Sequence, residues 1–403
     1  MTTDSDRTTA FPPHPGGSAP QPQATEKRPR LGGVDGLRAF AALWVVSFHM
    51  RAFSGGKLLP GLDTLVRSGS TGVSLFLLLS GFCLYVPYAG GRSDRFKTKR
   101  FLARRWWRLV PAYYASLALV VVAIAITAGR DGLPRLSGSS LAQQLVAHVA
   151  IVQQFFPSTF YGLNGAYWSL GLEWEFYLTL PILIWAARRW GIGRTVAAVV
   201  GINVSYLLAL AAVVSGGLTH GSLATDVLPN LFLGRWGEFA FGMLAAELYT
   251  TGEVRRWAKK LRWGILGLVP LGLAISGDPI AHLVFGLVFF IVLCLVLADD
   301  NVIARVFSWT PAVVLGTMSY SIYLMHTPVL EIIDAALKGL GASPNAVFLG
   351  MIGLLPVVLF VSWLLFVTVE RRSLSPAMLE AAPGAPLLSP KFLRRRSADP
   401  SPR

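Results

Sequence analysis

Long apolar segments separated by short polar connections dominate the sequence from residue 31 onward. A bilayer core about 30 Å thick requires roughly 20 residues of helix, and segments of that length recur along the chain. The stretch 263–298 would extend about 54 Å as one helix, and residues 276–279 supply a turn in its middle. The pattern therefore predicts an all-α fold, a polytopic transmembrane helical bundle of about ten spans, at 34–53, 71–89, 108–128, 167–187, 195–215, 231–250, 262–276, 280–298, 312–335 and 345–369.

One uncharged segment, residues 141–156, fits this pattern poorly because it contains Gln143, Gln144, His148, Gln153 and Gln154. Counting it as an eleventh span would reverse every later helix and place the basic residues of 188–194 outside. We therefore expect this segment to lie on the outer face or to re-enter the membrane without crossing it.

The two ends of the chain differ in composition from the region between them. Residues 1–30 are rich in Pro and Thr, carry Asp4 and Asp6, and have no apolar core of a secretion signal. Residues 373–403 are rich in Pro and Arg. We expect a disordered cytoplasmic tail over 1–30, a single membrane domain over 31–372 and a second cytoplasmic tail over 373–403.

Composition supports the membrane assignment. Of the 403 residues, 53% are hydrophobic and 14% are charged, against about 25% charged in soluble domains. The net charge of +15 does not indicate nucleic acid, because the basic residues punctuate apolar runs instead of forming one patch. Cys83 and Cys294 lie in different apolar segments and match no metal-ligand spacing. We expect no metal site.

The distribution of basic residues predicts the orientation of the chain. With the N-terminus in the cytoplasm, most of the 36 Lys and Arg residues fall in connections on the cytoplasmic side. Positively charged loops remain on that side during insertion. The sequence therefore predicts a multi-pass protein of the cell membrane with both termini inside.

Several ionisable residues fall within the predicted spans. Each costs about 2.5–3.5 kcal/mol on insertion scales, so such residues are functional candidates by default. They are Asp35, Arg38, His49, Glu173, Glu175, Arg235, Glu238, Glu247 and His326.

Arg38 and His49 share one face of the first predicted helix. Eleven steps of about 100° bring the two side chains within about 20° of each other, about 16 Å apart along the axis. A permanent cation and a titratable imidazole suit anion binding and proton abstraction respectively. Spacing alone also allows an interfacial arginine and a packing histidine.

Six blocks of sequence occur in order at plausible spacing. They are Asp35–Ala39 leading to His49, Gly72–Phe76 leading to Ser80–Phe82, Arg104–Pro111 followed by Tyr113 and Tyr114, Trp168–Tyr177, Ser319–His326 followed by Pro328, and Glu370–Arg371. Together they resemble the motifs of the acyltransferase 3 family of integral membrane O-acyltransferases. The sequence departs from the family pattern at Glu175, where a neutral or amide residue is common, and in lacking a Pro after the closing glutamate.

The resemblance implies transfer of an acetyl or other short acyl group from acyl-CoA to a hydroxyl. Acceptors in the family are polysaccharide sugars, cell-wall glycans, lipid-linked saccharides or macrolides. Acyl-CoA would serve as co-substrate, with no bound cofactor, and the partners would be that donor, a hydroxyl-bearing acceptor and the lipid bilayer. The chemistry requires a base, donors for the oxyanion and a clamp for the CoA phosphates.

The resemblance suggests roles for four candidate catalytic residues. His49 would be the general base, and Arg38 would clamp a CoA phosphate or polarise the thioester. Glu173 would orient His49 or bind the acceptor, unless it forms a structural ion pair with Arg235 or another cation within the membrane. His326 would handle a second proton or bind the acceptor, unless it is a packing histidine.

The remaining candidates would bind substrate. Arg104, Arg105 and Arg108 could hold phosphate, although positive-inside anchoring explains them equally well. Aromatic side chains could stack on a sugar ring or belong to interfacial belts. The other candidates for substrate binding are Asp35, Trp168, Ser169, Tyr320 and Tyr323, and Trp174 is a further stacking candidate.

Two other classes of function compete with an acyltransferase. A transporter or flippase of a lipid-linked or small polar substrate would suit buried charges, but such folds usually show internal repeats, and no repeat is evident in this sequence. A membrane scaffold or sensor would not depend on His49.

Overall fold

The computed structural model describes residues 31–91, 96–127, 140–217, 221–276, 278–298, 301–374 and 379. Within these ranges every regular element is helical, which confirms the all-α prediction. The predicted tails, 1–30 and most of 373–403, lie outside the described residues. The α-helices are α1 (Gly32–Ser54), α2 (Pro60–Arg67), α3 (Gly72–Tyr85), α4 (Thr98–Thr127), α5 (Leu141–Val149), α6 (Pro157–Phe160), α7 (Trp168–Trp190), α8 (Ile192–Ser215), α9 (Phe232–Thr250), α10 (Val254–Leu261), α11 (Ile265–Ala274), α12 (Ala281–Leu297), α13 (Val302–Phe307), α14 (Thr310–Thr317), α15 (Ser319–Gly339), α16 (Pro344–Gly353) and α17 (Leu355–Thr368).

Four helical stretches among the described residues are long and apolar enough to cross a membrane. A fifth is possible if the bent pair α16 and α17 forms one span. The stretches are Pro60–Gly91, Thr98–Ile124, Trp168–Trp190 and Ile192–Ser215. Length and apolar composition therefore support a membrane protein.

Two predicted spans are broken in the structure. The segment 312–335 is divided between α14 and α15, which separate at Met318. The segment 345–369 is divided between α16 and α17, which are bent by 49°. Pro356 lies in the first turn of α17, where its missing N–H cannot continue the hydrogen bonding of the preceding helix. Apolar content alone does not reveal such breaks.

The segment 141–156 does not form a continuous helix. Helix α5 has nine residues, about 14 Å of length at 1.5 Å per residue, and a short 3-10 turn at Gln153–Phe155 follows it. This agrees with the expectation that the segment does not cross the membrane.

Helices α3 and α9 approach each other through reciprocal glycines. A Cβ atom at Gly81 would lie 2.1 Å from the Phe239 carbonyl oxygen, and one at Gly242 would lie 2.0 Å from the Leu78 carbonyl oxygen. No side chain fits in such a space, so both positions require glycine. Small residues bring backbones together in the same way in membrane helix pairs.

Helix α1 packs against several other helices, among them α3, α13, α14 and α15. Gly36 faces the Phe307 carbonyl, and Gly316 of α14 faces the Asp35 carbonyl, at positions where a Cβ would come within 1.8 Å and 1.7 Å of those oxygens. Buried apolar side chains of α1 join two hydrophobic clusters of the core. The polar residues of α1 are therefore buried or partly buried among other helices.

Candidate active site

Helix α1 carries Arg38 and His49 without a break, as their spacing predicts. The Arg38 guanidinium donates from Nη1 to Asp35 Oδ1 at 3.1 Å and from Nη2 to Cys83 Sγ at 3.2 Å. Its side chain nevertheless keeps 30% of its surface exposed. Arg38 is thus fixed by two neighbours and still able to meet a ligand.

His49 meets a second histidine from α15. His326 Nε2 lies 3.2 Å from His49 Nδ1, and the ring centroids are 4.9 Å apart. We refer to these two residues as the histidine pair. His326 is fully buried, whereas His49 keeps some accessible surface. The buried ring of His326 therefore supports the more accessible ring of His49.

Backbone carbonyls determine which nitrogens of the pair carry protons. His326 Nδ1 lies 2.8 Å from the Tyr323 carbonyl oxygen, which can only accept, so Nδ1 is the donor and Nε2 of the neutral ring is an acceptor. His49 Nδ1 faces this acceptor and the Val45 carbonyl oxygen at 3.0 Å. His49 Nδ1 therefore carries the proton, and the lone pair of His49 is on Nε2.

Glu173 lies on α7 toward the arginines of the site. It accepts a hydrogen bond from the Tyr177 hydroxyl, one turn along the same helix, and lies within electrostatic range of Arg38, Arg105 and Arg108. The Glu173 carboxylate therefore interacts electrostatically with arginines of both α1 and α4.

Arg235 was considered as a partner of Glu173, but it pairs with Glu238. Its Nε donates to Glu238 Oε1 at 2.9 Å, Nη1 to Asn230 at 3.0 Å and Nη2 to Ser74 at 3.0 Å. The Arg235 and Glu238 side chains are 1% and 0% exposed. This network links α3 to α9 and leaves Glu173 to the arginines of α1 and α4.

Arginines of α4 line a pocket of about 420 Å³. We call it the arginine pocket; its lining residues are Arg100, Ala103, Arg104, Arg105, Trp107, Arg108 and Ser373. Its volume falls in the range of small-molecule sites. It collects the three predicted phosphate-binding arginines and adds Arg100, which the sequence motif did not include.

An ion pair holds Arg108, and two aromatic rings hold Arg105. Arg108 Nη1 donates to Glu370 Oε1 at 2.8 Å. The Arg105 guanidinium carbon lies 5.5 Å from the Phe101 ring centroid and 6.0 Å from that of Tyr177, within cation–π range. Since Tyr177 also binds Glu173, the arginine pocket is connected to the interior of the bundle.

Glu370 connects this pocket to α15. It accepts from the Ser321 backbone N–H at 3.1 Å and from Ser321 Oγ at 2.5 Å, satisfying a donor in the first turn of α15. The Tyr320 hydroxyl donates to the Leu109 carbonyl at 3.0 Å. The start of α15 is thereby fixed to α4.

The other aromatic candidates occupy different places. The Tyr323 hydroxyl is 2.7 Å from Ser169 Oγ, and its ring centroid is 5.6 Å from that of His326. Trp168 instead stacks on Phe160 at 5.3 Å. Tyr323 and Ser169 therefore lie beside the histidine pair, while Trp168 packs against the segment that precedes α7.

Glu175, the departure from the family pattern, has a structural role. Its Oε2 accepts from the Phe232 N–H at the start of α9 at 3.1 Å, and Oε1 accepts from Gln154 Nε2 at 3.3 Å. Glu175 thus joins α7 to α9 and to the segment 141–156.

Within the segment 141–156, burial lowers the pKa of His148.

Besides Arg100, sequence reasoning missed Tyr177 and Cys83. Tyr177 stands four residues after Glu173, a spacing that brings side chains together on a helix, so the pattern could have revealed it. Cys83 meets Arg38 from another helix, and no sequence signal indicates that contact.

Comparison with known proteins adds independent information. A family profile described as an acyltransferase domain matches residues 31–367. Acyltransferase MdmB of Streptomyces mycarofaciens is 27% identical over 321 residues, which cover 75% of this chain and 79% of the relative.

Two O-acetyltransferases match more partially. O-acetyltransferase OatA of Staphylococcus aureus is 24% identical over 346 residues, 76% of this chain and 51% of the relative. Peptidoglycan O-acetyltransferase OatA of Listeria monocytogenes is 24% identical over 353 residues, 77% of this chain and 51% of the relative. The chain therefore spans about half the length of the OatA proteins. No solved structure matches it.

Proposed function

Because the chain belongs to the acyltransferase family whose domain covers residues 31–367, we propose that this acyltransferase moves an acetyl or other short acyl group from acyl-CoA to a hydroxyl of a glycan, lipid-linked sugar or macrolide-type acceptor. Two relatives are named O-acetyltransferases, and one of them peptidoglycan O-acetyltransferase. The observation that carries the proposal is the arrangement of an arginine pocket, a carboxylate-bridged set of cations and a histidine pair within one helical bundle.

The proposal includes a multi-pass topology of ten spans with both termini in the cytoplasm, in the cell membrane. Helices α1 and α9 are not among the four stretches of high apolarity, because both carry charged side chains. The Arg235 and Glu238 side chains of α9 are buried within the protein. Inward-facing charges of this kind are compatible with a helix that crosses a membrane.

The arginine pocket would receive the phosphates of acyl-CoA. Arg100, Arg104, Arg105 and Arg108 supply guanidinium groups from one helix, and guanidinium forms strong bidentate hydrogen bonds with phosphate. In the proposed topology this end of α4 faces the cytoplasm. The donor would enter from that side.

The distance between Arg38 and His49 supports a role for Arg38 in binding the donor and argues against a role at the oxyanion. Arg38 lies about 16 Å from His49 along the axis of α1, too far for both residues to act on one carbonyl carbon. Glu173 places Arg38 near Arg105 and Arg108. Arg38 would therefore bind the donor between the arginine pocket and the histidine pair.

His49 would act as general base through Nε2. The lone pair takes the proton of the acceptor hydroxyl as the oxygen attacks the thioester carbonyl, and His326 Nε2 accepts from the Nδ1–H and keeps the ring in the required tautomer. The hydroxyls of Tyr323 and Ser169, which bond to each other beside His326, would supply donors for the oxyanion. The ester forms as the carbon–sulfur bond breaks, and the thiolate of CoA takes up the proton.

Transfer of label from [14C]acetyl-CoA in membranes tests this proposal. Wild type, His49→Ala and the control His282→Ala are compared at equal membrane levels, with acceptors that include a macrolide and a cell-wall glycan. We expect labelled acceptor with wild type and His282→Ala, and loss of label with His49→Ala. Full activity of His49→Ala would exclude His49 as the base, and the lack of any labelled acceptor would favour a transporter or flippase.

A further inference from the structure

We infer that Asn164, in the turn before α7, is a positioning residue that holds His326 in place for the histidine pair. Asn164 is fully buried and contacts α15 on both sides of His326. The inference rests on the proposed function, because it assigns Asn164 a role in the same proton transfer.

Pro328 creates the need for such a residue. Proline has no N–H, so the carbonyl four residues earlier in a helix loses its hydrogen-bond donor. In α15 that carbonyl belongs to Leu324. Asn164 Nδ2 donates to the Leu324 oxygen at 2.9 Å, and Ser116 Oγ donates to it at 3.3 Å. Side chains of two other segments thus replace the helical bond that proline removes.

The other end of the Asn164 amide contacts the residue after the histidine. Asn164 Oδ1 accepts from Thr327 Oγ1 and from the Ala166 N–H at 2.9 Å. The donor and the acceptor of one amide therefore bind Leu324 and Thr327, which flank His326 in the chain. Such a pair of contacts restrains both the position and the rotation of this part of α15.

The turn that carries Asn164 is itself held firmly. Leu163 has a φ of 53°, in the left-handed region that a leucine rarely adopts, and it is buried. The Tyr167 N–H donates to the Asn164 carbonyl at 3.0 Å, and Gln153 Nε2 donates to the Tyr167 carbonyl at 2.9 Å. A strained residue persists only where its surroundings fix it, so the turn provides a rigid support.

The histidine pair has little tolerance for movement of α15. The distance of 3.2 Å between His326 Nε2 and His49 Nδ1 is already at the long end for a hydrogen bond. A displacement of a few tenths of an ångström would weaken this hydrogen bond and leave the His49 ring less firmly oriented, while the Val45 carbonyl still holds the proton on Nδ1. Loss of Asn164 should therefore reduce kcat through His326 and leave binding of acyl-CoA largely unchanged.

A double-mutant cycle tests this role. Turnover is measured with [14C]acetyl-CoA for wild type, Asn164→Ala, His326→Ala and the double variant, at equal membrane levels. We expect Asn164→Ala to lower kcat about tenfold with the KM for acyl-CoA changed by less than about threefold. In the His326→Ala background the same change should lower kcat by less than about twofold.

Asn203→Ala is the matched control, because Asn203 is also fully buried and donates from Nδ2 to a backbone carbonyl, that of Leu233, at 2.7 Å. Its effect should be the same in both backgrounds. Thr327→Val provides a second, nearly isosteric variant, and should likewise lower kcat only where His326 is present.

Equal losses from Asn164→Ala in the two backgrounds would overturn the positioning role and leave Asn164 as a structural residue. Wild-type kcat in Asn164→Ala would overturn it as well. Failure of the wild type to transfer label would instead overturn the proposed function itself, so the two failures are distinguishable.

Discussion

The arginine pocket and the histidine pair differ in charge and in burial, although they lie in one helical bundle. Four guanidinium groups of one helix line the arginine pocket, which has a volume of about 420 Å³. The histidine pair is held by backbone carbonyls, and one of its rings is fully buried. Under the proposed function, the charged pocket would attract the anionic donor from water, and the fixed imidazole rings would move the proton.

The connection between the two regions is also informative. Glu173, Tyr177 and Arg105 link the arginine pocket to α7, and Glu370 links it to the first turn of α15. The helix that carries His326 is therefore fixed at its start by the arginine pocket. The two regions should nevertheless separate in kinetics, one acting on KM for the donor and the other on kcat.

The largest effect is expected from removing the base. His49→Ala should lower kcat by about 10²- to 10⁴-fold, the usual contribution of a general base, with little change in the KM for acyl-CoA. Steady-state transfer of label at several donor concentrations measures both constants. A rise in KM at unchanged kcat would place His49 with the donor and remove the distinction between the regions.

A smaller loss is expected when the supporting ring is removed. His326→Ala should lower kcat by up to about 10²-fold, since misplaced catalytic groups cost this much, while His49 remains able to accept a proton. The same assay checks it, with His282→Ala as the control. A variant that retains wild-type kcat would show that His326 only packs against its neighbour.

Changes in the arginine pocket should affect the KM for acyl-CoA instead of kcat. Arg104→Gln should raise the KM for acyl-CoA about tenfold, the cost of one hydrogen bond to a charged group, and leave kcat nearly unchanged. Higher ionic strength should raise KM further in wild type, because salt screens exposed charges. Arg256→Gln is the control, as that side chain is 81% exposed on α10, and equal effects of the two variants would contradict a specific phosphate site.

The smallest effect on rate is expected at Cys83, which is useful as a reporter. Cys83 has accessible surface beside Arg38, whereas Cys294 is fully buried. Maleimide should therefore label Cys83 selectively, and CoA should slow the labelling if the donor passes Arg38. Cys83→Ala should change kcat and KM by less than about twofold, and loss of labelling in this variant identifies Cys83 as the labelled residue. Labelling of the wild type at the same rate with and without CoA would contradict a donor path past Arg38.

Sequence periodicity predicted the parts of the site that lie on single helices. The shared face of Arg38 and His49 follows from the helical repeat, and α1 is unbroken between them. Helices α7, α8 and α9 begin and end within about three residues of the predicted spans. Helix α4 begins ten residues before its predicted span, because the helix continues through basic residues that an apolar window does not include.

Contacts between distant segments could not be predicted in this way. His49 and His326 are 277 residues apart, and their meeting depends on how α1 packs against α15. Asn164 acquires its significance from a carbonyl that Pro328 leaves without a donor 160 residues away. The break at Met318 arises within an apolar segment whose composition gives no warning.

The most direct test of the account is a comparison of kcat and KM for acyl-CoA in His49→Ala and Arg104→Gln, in the same membranes and with the same acceptor. The account predicts that His49→Ala loses kcat and keeps KM, whereas Arg104→Gln keeps kcat and loses donor affinity. Wild-type turnover by His49→Ala, or the same pattern of loss in both variants, would contradict the division between an arginine pocket that binds the donor and a histidine pair that moves the proton.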